Sequence, residues 1–366
     1  MSATALPVTP PHDLVGVTLP GGWSVTNKTL TVPGHSGGYF SVGYQCTSPT
    51  GSVAFVKAID LYKMMAPAGP GFLASLTMWL QEVRGEQELL AECKRMDRVV
   101  TSIDSGELRE LRGTPLTIPV PFIVFELAHT SARAAVLGSA PPSMGWRLRT
   151  LHHIAVGLWQ MHSKMIAHQD VKLSNVLLFP GEIGAKLSDL GRSVQQGRSV
   201  PHDAEPWPGD WGYAPPEHSY GFTPVEFHER RLASDLYLLG SCVCTMFTGA
   251  SINALLYDEL PKDLHPLRLG GSYTGTFADV LPHLMDAFSR VLDRVRSAVP
   301  STLAMTEDIV VMTSELSNPD PLVRGHPVSR AIHGATKHAY SLERYLNRLD
   351  VLATKAAIHE RRAVRP

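Results

Sequence analysis

Three features are scarce in this chain, and each scarcity excludes a class of protein. Four cysteines among 366 residues are too few for a disulfide scaffold, and Cys242 and Cys244 lie in an apolar segment typical of a reduced core, so zinc is not expected either. Charge is balanced, with 33 Lys and Arg against 34 Asp and Glu, so neither nucleic acid nor a membrane surface is indicated as a partner. No apolar run reaches the roughly 18 residues of a membrane-spanning helix, and residues 1–20 do not resemble a secretory signal. We therefore expect a cytoplasmic globular chain.

What the chain does contain is 44% hydrophobic residues, enough for a large core in two domains or one bilobal unit. Residues 1–27 are rich in Pro, Thr and Gly and predict a loose N-terminal extension, with pairing as an edge strand left open. At the other end, residues 351–366 include Arg361, Arg362 and Arg365 and predict a solvated basic tail.

The apolar pattern changes character along the chain. Short apolar runs bounded by glycine and proline predict strands at Leu30–Val32, Tyr39–Gln45, Ser52–Ile59 and Phe122–Leu127. Between Phe72 and Met96 apolar residues recur at intervals of three and four, which predicts one amphipathic helix.

Beyond residue 125 the pattern is mainly helical. One apolar face runs from Leu148 to Met161, and the run Ala233–Phe247 is apolar nearly all round, as in a buried helix. The predicted fold class is α+β: a small β-rich lobe with one main helix, followed by a larger, mostly helical lobe.

Two short polar clusters interrupt apolar runs in the second lobe. The first is His-Gln-Asp-Val-Lys-Leu-Ser-Asn at residues 168–175, and the second is Leu-Ser-Asp-Leu-Gly at residues 187–191. Moving a phosphoryl group from a metal-bound nucleotide requires a carboxylate to orient the hydroxyl, an amine to offset phosphate charge, and oxygen ligands for the metal. Each residue alone is weak evidence, because an isolated Asp or Asn before a turn is more often a capping residue, but four in this order predict a site. They are Asp170, Lys172, Asn175 and Asp189.

The order of these motifs resembles the protein kinase family, in its serine/threonine form, over roughly residues 28–350. The resemblance implies a bilobal kinase fold with lobes at 28–127 and 128–350, and it implies ATP and a protein substrate as partners. It implies that Asp170 is the catalytic carboxylate and that Lys172 lies close to the γ-phosphate. Asn175 and Asp189 would be the Mg²⁺ ligands.

Residues 34–42 resemble the glycine-rich turn that covers the nucleotide phosphates in this family. Gly37 and Gly38 would let backbone N–H groups approach phosphate, and Val42 would follow them on a strand. The motif is degenerate, and an ordinary hairpin turn remains the alternative. Lys57 ends the apolar run that follows and resembles the lysine that binds the α- and β-phosphates.

That lysine needs a carboxylate partner on the following helix, and three glutamates compete. Glu88 belongs to a charged face and Glu82 lies at a boundary, whereas Glu86 projects from the apolar stripe. A carboxylate there is costly unless paired, so we predict Glu86 as the partner of Lys57. The loop at residues 66–71 accommodates an interval longer than is usual in the family.

The resemblance also assigns the adenine side of the site. Phe125 would be the gatekeeper, and backbone groups of Glu126 and Ala128 would bind the adenine edge. Phe55 stands where the family has a small residue against adenine, which predicts a narrower pocket. A plain core strand would explain the segment at residues 122–128 equally well.

Three further residues resemble structural positions of the family. Glu217 closes an Ala-Pro-Pro-Glu segment, and Arg324 resembles the arginine that pairs with that glutamate. Asp235 resembles the buried aspartate that bonds the backbone of the catalytic loop.

Two departures from the family concern regulation. Gln169 replaces the arginine on which a phosphorylated activation loop docks, so activation through this residue is not expected, although Ser193 and Ser199 leave autophosphorylation open. Asp210 replaces a threonine and is expected to repel Asp170.

Three functions are therefore weighed. A serine/threonine protein kinase is favoured because Lys172 follows Asp170 by two residues. The second candidate is a small-molecule phosphotransferase of the same fold. Such enzymes have a similar motif without the lysine and usually lack the segment that ends at Glu217, so both features count against this function. An ATP-binding pseudokinase, acting as a regulatory scaffold, would explain the degenerate turn and Gln169. The Ala-Pro-Pro-Glu segment and the one around Arg324 resemble bacterial-style kinases.

Overall fold

The computed structural model describes residues 9–29, 40–65, 71–181, 184–300, 304–331 and 339–363. The chain divides into a small unit, Met1–Arg95 with Val99–His129, and a large unit, Met96–Arg98 with Thr130–Pro366. The first is rich in strands and the second is mostly helical. The predicted α+β, bilobal fold class is thereby confirmed.

An antiparallel five-stranded sheet forms the small unit. Its strands are β1 (Ser24–Lys28), β2 (Ser41–Thr47), β3 (Val53–Ile59), β4 (Ser102–Leu111) and β5 (Thr114–Glu126), in the order β1-β2-β3-β5-β4. Three of the predicted strands fall on β2, β3 and β5, whereas the run at residues 30–32 lies outside the described residues. Strand β4 was missed because Leu108 is its one buried residue, so its sequence lacks a clear alternation of apolar and polar residues.

Alternation along the strands builds the core of the small unit. On β2 and β3 every second side chain is buried, which is the period-2 pattern of a sheet with one covered face. The buried residues of this cluster are Leu14, Leu19, Trp23, Val25, Val42, Tyr44, Cys46, Ala54, Val56, Ala58, Leu108, Val120, Phe122 and Val124.

The N-terminal residues belong to this core. Leu14, Leu19 and Trp23 are buried in it, and the indole Nε1 of Trp23 donates a 3.0 Å hydrogen bond to Asp104 Oδ2 on β4. Prediction of a loose lead-in was therefore wrong for the described residues from 9 to 28, and the edge-strand alternative was correct. The large apolar side chains among the prolines and glycines supply enough buried area to fix the segment.

Two helices complete the small unit, α1 (Leu61–Met65) and α2 (Phe72–Cys93). Helix α2 begins where it was predicted and ends three residues earlier. Its second half is the buried half, through Val83, Leu89 and Leu90, whereas Leu73 in its first turn is 75% exposed. The buried half is the part that carries Glu86.

Helices dominate the large unit. In chain order they are α3 (Ala132–Val136), α4 (Met144–His162), α5 (Pro216–Ser219), α6 (Ala233–Thr248), α7 (Ile252–Glu259), α8 (Phe277–Ala298), α9 (Thr306–Leu316), α10 (Pro327–Ala331) and α11 (Glu343–Ala363). Short antiparallel strands form two small sheets, β6-β8-β9 and β10-β7. Their bounds are β6 (Thr130–Ser131), β7 (Ile166–Ala167), β8 (Val176–Phe179), β9 (Gly184–Leu187) and β10 (Val194–Gln195).

Helix α6 is the central helix of the large unit and is buried on nearly every side, as predicted. It ends at Gly249, whose φ of +79° is a left-handed conformation that favours glycine. All four cysteines are free and buried, two of them within α6, which confirms the prediction of reduced core residues. Among the described helices none is by itself long and apolar enough to cross a bilayer, and the bent pair His228–Thr248 with Ile252–Glu259 meets the test only when its two parts are joined.

The start of the predicted basic tail, at residue 351, lies inside a helix, whereas Arg361 and Arg362 at the end of that helix are exposed, as predicted. That segment continues helix α11, whose buried residues Tyr345, Leu349, Leu352 and Ala356 recur at intervals of three and four. The charge of Arg361 and Arg362 indicates a solvated end, but the apolar residues before them repeat with helical spacing. Helix α11 packs against helix α4.

The end of α11 caps the start of α4. Ser143, the N-cap residue, accepts a hydrogen bond from Trp146 N and donates one of 3.0 Å to Glu360 Oε2. Gly145 N donates a 2.8 Å bond to the other oxygen of Glu360. Free N–H groups and the helix dipole make a helix N-terminus favourable for a carboxylate.

We expect Glu360→Gln to lower the free energy of unfolding by about 1 kcal/mol, because it replaces a charge-assisted cap with a neutral one. Chemical denaturation of the purified chain measures the change. Asp263→Asn, at an exposed carboxylate of the same unit, is the matched control and should leave the unfolding midpoint unchanged. Equal midpoints for both variants would contradict the capping role.

Candidate active site

The small unit contains an ion pair between strand β3 and helix α2. Ala54, Val56 and Ala58 point into the core, so alternation places Lys57 on the other face of β3. Its Nζ donates a 2.7 Å hydrogen bond to Glu86 Oε1. Glu86 is 7% exposed, and a carboxylate so deeply buried is stable only with such a partner.

Glu86 was chosen from three glutamates, and the structure pairs this one with Lys57. Glu82 is half-buried and Glu88 is exposed, as their places on the helix surface predicted. The pair is 29 residues apart, an interval that contains α1 and the loop at 66–71, most of which lies outside the described residues.

Most of the predicted glycine-rich turn, with Gly37 and Gly38, also lies outside the described part of the chain. Val42, on β2, is buried in the sheet core. Gly43 pairs in register with Lys57, and a Cβ at this glycine would lie 2.8 Å from the ring of Phe55. The Phe55 ring therefore occupies the space over Gly43, next to Lys57 on the same face of β3.

Strand β5 ends at Glu126, which is tied to the start of β4. Thr101 N donates a 2.7 Å bond to Glu126 Oε1, and Glu126 N donates a 3.2 Å bond to Thr101 O. Phe125 is buried, and Ala128 is half-buried just beyond the strand. The adenine-binding roles of Glu126 and Ala128 stay predictions.

In the large unit, Asp235 holds the backbone of the loop that carries Asp170. Its carboxylate accepts hydrogen bonds from His168 N at 2.7 Å and from Gln169 N at 2.8 Å. His162 Nε2 lies 2.9 Å from the same carboxylate. Gln169 has a φ of +65°, a strained backbone conformation that these bonds stabilise. The prediction that Asp235 bonds the loop backbone is confirmed.

Asp170, Lys172 and Asn175 form one connected polar cluster. Lys172 Nζ lies 3.0 Å from Asp170 Oδ1 and 3.1 Å from Asp210 Oδ2. Asn175 Nδ2 donates 2.8 Å bonds to both the main-chain oxygen and Oδ2 of Asp170. The arrangement orients the Asp170 carboxylate from two sides.

Burial is the main cause of the raised pKa of Asp170, while Lys172 opposes it and Asp189 adds to it. Burial would lower the pKa of Lys172, but Asp170 and Asp210 outweigh it, so this pKa is raised and the amine stays charged. Repulsion between Asp210 and Asp170 was expected, yet Lys172 lies within reach of both carboxylates and screens one from the other. Asp210 N even donates a 3.4 Å bond to Asp170 Oδ1.

Asp189 lies just beyond β9 with a φ of +63°. The residue before it, Ser188, donates from both N and Oγ to Asn175 O, at 2.9 and 3.0 Å. His168 Nε2 lies 3.1 Å from Ser188 O on the other side. The two predicted metal ligands, Asn175 and Asp189, thus belong to segments that hydrogen bonds hold together. Amide and carboxylate oxygens are ligands that Mg²⁺ prefers.

The segment after Asp189 ends at a buried ion pair. Arg324 donates from Nη1 and Nη2 to the two oxygens of Glu217, at 2.8 and 2.9 Å, and both side chains are 0% exposed. The guanidinium also lies 5.0 Å from the ring centroid of Tyr237. The predicted pairing of Glu217 with Arg324 is confirmed.

The two serines considered for autophosphorylation differ in their surroundings. Ser193 is fully buried, and its Oγ donates a 3.3 Å bond to His168 O, so it is not presented to a kinase. Ser199 is exposed.

Two residues near this site were not predicted. Arg231 Nη1 donates a 3.3 Å bond to Gln169 Oε1, and Arg231 Nη2 donates a 2.8 Å bond to Asp203 Oδ1. The available signal was an arginine directly before the apolar run of α6, where a charge must find a partner.

The large unit therefore holds a buried carboxylate flanked by a charged amine and an amide, next to a second carboxylate on a bonded segment. The small unit holds a lysine fixed by a buried glutamate. Together with the sheet-rich and helical units, these features define a class of protein, that of the protein kinase fold. The family model for the protein kinase domain matches residues 36–259, more than half of the chain, and the chain belongs to this family.

Among individual proteins, the chain is similar to the serine/threonine-protein kinase SBK1 of Danio rerio. The two are 27% identical over 157 residues, which cover 38% of this chain and 40% of that protein. The chain thus matches about two fifths of the length of this relative.

Proposed function

We propose that this chain transfers the γ-phosphoryl group of ATP to serine or threonine hydroxyls of a protein substrate. The observation that carries the proposal is the buried Asp170, Lys172 and Asn175 cluster on a loop whose backbone is held by Asp235. Such fixed orientation is what positional catalysis of phosphoryl transfer requires.

In the proposed reaction, Asp170 accepts a hydrogen bond from the substrate hydroxyl and then its proton. The hydroxyl oxygen forms a bond to the γ-phosphorus while the bond from that phosphorus to the β–γ bridging oxygen breaks, and ADP leaves. Lys172 offsets charge that develops on the transferred group. Lys57, held by Glu86, binds the α- and β-phosphates.

Mg²⁺, when bound, would neutralise phosphate charge and fix the geometry of the phosphates. Asn175 and Asp189 would hold it. The amide nitrogen of Asn175 is the donor to Asp170, so its oxygen is the atom assigned to the metal. One amide and one carboxylate suit this ion, which usually keeps waters and phosphate oxygens as its other ligands.

Two observations support serine and threonine as acceptors. Lys172 stands two residues after Asp170, which resembles serine/threonine kinases, and the curated relative bears that name. We also propose the lobes at residues 28–127 and 128–350, the adenine contacts of Glu126 and Ala128, the phosphate contacts of Gly37 and Gly38, and a cofactor-binding role for Val42. The cytoplasmic location and the bacterial-style character are proposed with the same activity.

The decisive assay incubates the purified chain with γ-labelled ATP and Mg²⁺, with and without casein as acceptor. We expect label on protein, on phosphoserine or phosphothreonine, for the parent chain and for Lys94→Ala, whose lysine is exposed in the same unit as Lys57. Lys57→Ala should lose the label because the phosphates lose their fixed cation.

Each alternative has its own outcome in this assay. Nucleotide binding without transfer to any acceptor would replace the proposal with the pseudokinase. Label that reaches only a small hydroxyl compound would replace it with the small-molecule phosphotransferase. Equal labelling by Lys57→Ala and Lys94→Ala would contradict the role given to Lys57.

A further inference from the structure

Arg231 lies at the centre of a polar network on the inner side of the segment between Asp189 and Glu217. It belongs to the π-helical turn His228–Leu232, which leads into α6, and its side chain is 1% exposed. Burial lowers its pKa to about 10, so the guanidinium is charged at neutral pH. A buried charge needs a charged or strongly polar partner.

Gln169 contacts Arg231 through both ends of its amide. Its Oε1 accepts the 3.3 Å bond from Arg231 Nη1, and its Nε2 donates a 2.9 Å bond to Arg231 O. The same Nε2 lies 3.2 Å from Asp235 Oδ1, and the backbone N of Gln169 donates to that oxygen as well. Gln169 therefore connects the guanidinium to the aspartate that holds the catalytic loop.

Asp203 is the other partner of Arg231. It lies in the 3₁₀ turn Pro201–Ala204, in the segment that follows Asp189. Arg231 Nη2 donates to Asp203 Oδ1 at 2.8 Å and to Asp203 O at 2.9 Å. Arg230 Nη2 donates 2.8 Å bonds to Asp203 O and Glu205 O. Two consecutive arginines thus bind the same turn.

The chemistry of this contact is that of a guanidinium with an oxyanion. Arginine binds a carboxylate or a phosphate through the same planar set of N–H donors. Gln169, which cannot bind an anion in this way, occupies the place directly before Asp170. In this chain Arg231, and not the residue before Asp170, makes the ionic contact, and the side chain of Asp203 supplies the anion.

We propose, on the basis of the function proposed above, that Arg231 and Asp203 are a positioning pair that holds the segment after Asp189 against the catalytic loop without phosphorylation of that segment. Asp203 acts through Arg231 and Gln169 and touches no reacting atom. The Asp203 carboxylate supplies the negative charge that a phosphate on the segment would otherwise supply.

The surroundings of Ser193 support the proposal. This serine is fully buried, and His202 Nε2, from the same turn as Asp203, lies 3.1 Å from Ser193 O. The inner side of the segment is therefore closed by groups that are already bonded to each other. Ser199 is exposed, so it is the residue at which the alternative, that activity requires a phosphate on this segment, can be tested.

The test compares Asp203→Asn with Asp308→Asn. Each aspartate is 40% exposed and pairs with an arginine of the large unit, Arg231 and Arg348 respectively, so the second variant is a matched control. Both proteins, and the parent chain, are treated with phosphatase first, and mass spectrometry verifies that the segment carries no phosphate.

We expect the dephosphorylated parent chain to keep its kcat and Asp203→Asn to lose about tenfold in kcat with an unchanged KM for ATP, since the carboxylate acts on loop geometry and not on nucleotide binding. Asp203→Glu should recover part of the loss. In hydrogen exchange, amides of residues 194–205 should exchange faster in Asp203→Asn only.

Two results would overturn the proposal. In the first, Asp203→Asn matches Asp308→Asn in both kcat and hydrogen exchange. In the second, the parent chain loses activity on dephosphorylation and regains it with a phosphate on Ser199. If the parent chain transfers no phosphoryl group at all, the proposed function fails, and the exchange comparison still decides whether the pair fixes the segment.

Discussion

Asp170→Asn is expected to lower kcat for phosphoryl transfer by about 10²- to 10⁴-fold, the usual contribution of a positioned general base. Asparagine has nearly the shape of aspartate but cannot accept the hydroxyl proton. Asn175 Nδ2 still donates its 2.8 Å bond to the main-chain oxygen of residue 170, and Asp235 still holds the loop backbone, so the loop keeps its conformation. KM for ATP should change little because Lys57 and the glycine-rich turn, not Asp170, are assigned to the nucleotide.

Initial rates with saturating acceptor measure this change, and thermal unfolding checks the fold. Asp293→Asn, at a carboxylate that is 72% exposed on helix α8, is the control and should keep full activity. An Asp170→Asn variant with more than half of the parent kcat would show that Asp170 is not the base. A variant whose melting temperature drops by many degrees would point to a structural role for the carboxylate instead.

Arg324→Met is expected to lower the free energy of unfolding by about 3–5 kcal/mol, because the substitution leaves the Glu217 carboxylate buried without its cation. Both side chains are 0% exposed, so water cannot replace the lost guanidinium. The arginine also donates a 2.9 Å bond to Asn318 O, which the methionine cannot make. Such a loss is a large fraction of the stability of an ordinary domain.

Urea denaturation followed by tryptophan fluorescence measures the effect. The double variant Glu217→Gln with Arg324→Met removes the unpaired charge and should recover part of the loss, since replacing a whole buried pair costs less than breaking it. Arg294→Met is the control, because this arginine pairs with Asp258 and Glu259 at the surface and the pair contributes little. Equal midpoints for the variants at 324 and 294 would contradict the argument.

Parts of the fold that depend on local periodicity were predictable from the sequence. Strands β2 and β3 and helix α2 each show their own repeat, helix α6 is a continuous apolar run, and the structure places all four within a few residues of the predicted bounds. Strand β4 was not predictable in this way, because Leu108 is its one buried residue. The prediction for the N-terminal residues was wrong because their Pro, Thr and Gly content indicates a loose segment, whereas Leu14, Leu19 and Trp23 are buried in the core.

In the candidate site, too, the residues that lie close together in the sequence were predictable, and those that are far apart were not. Asp170, Lys172 and Asn175 are five residues apart or fewer, so one short motif contains them, and Glu86 could be chosen because a carboxylate on an apolar stripe needs a partner. Arg231 is 62 residues from Gln169 and 28 from Asp203. The position of Arg231 before the apolar run of α6 indicates that it needs a partner, but only the fold shows that the partners are Gln169 and Asp203.

The cap that Glu360 places on helix α4 has a consequence for biosynthesis. Its bonding partner Gly145 is made 215 residues earlier, so at about 5–20 residues per second the ribosome needs roughly 10 to 40 s to deliver the cap. During that interval the face of α4 that α11 later covers is open to other apolar surfaces. The contact between α4 and α11 therefore forms late in translation, after β9 and α6, which also pack against α4, have been synthesised.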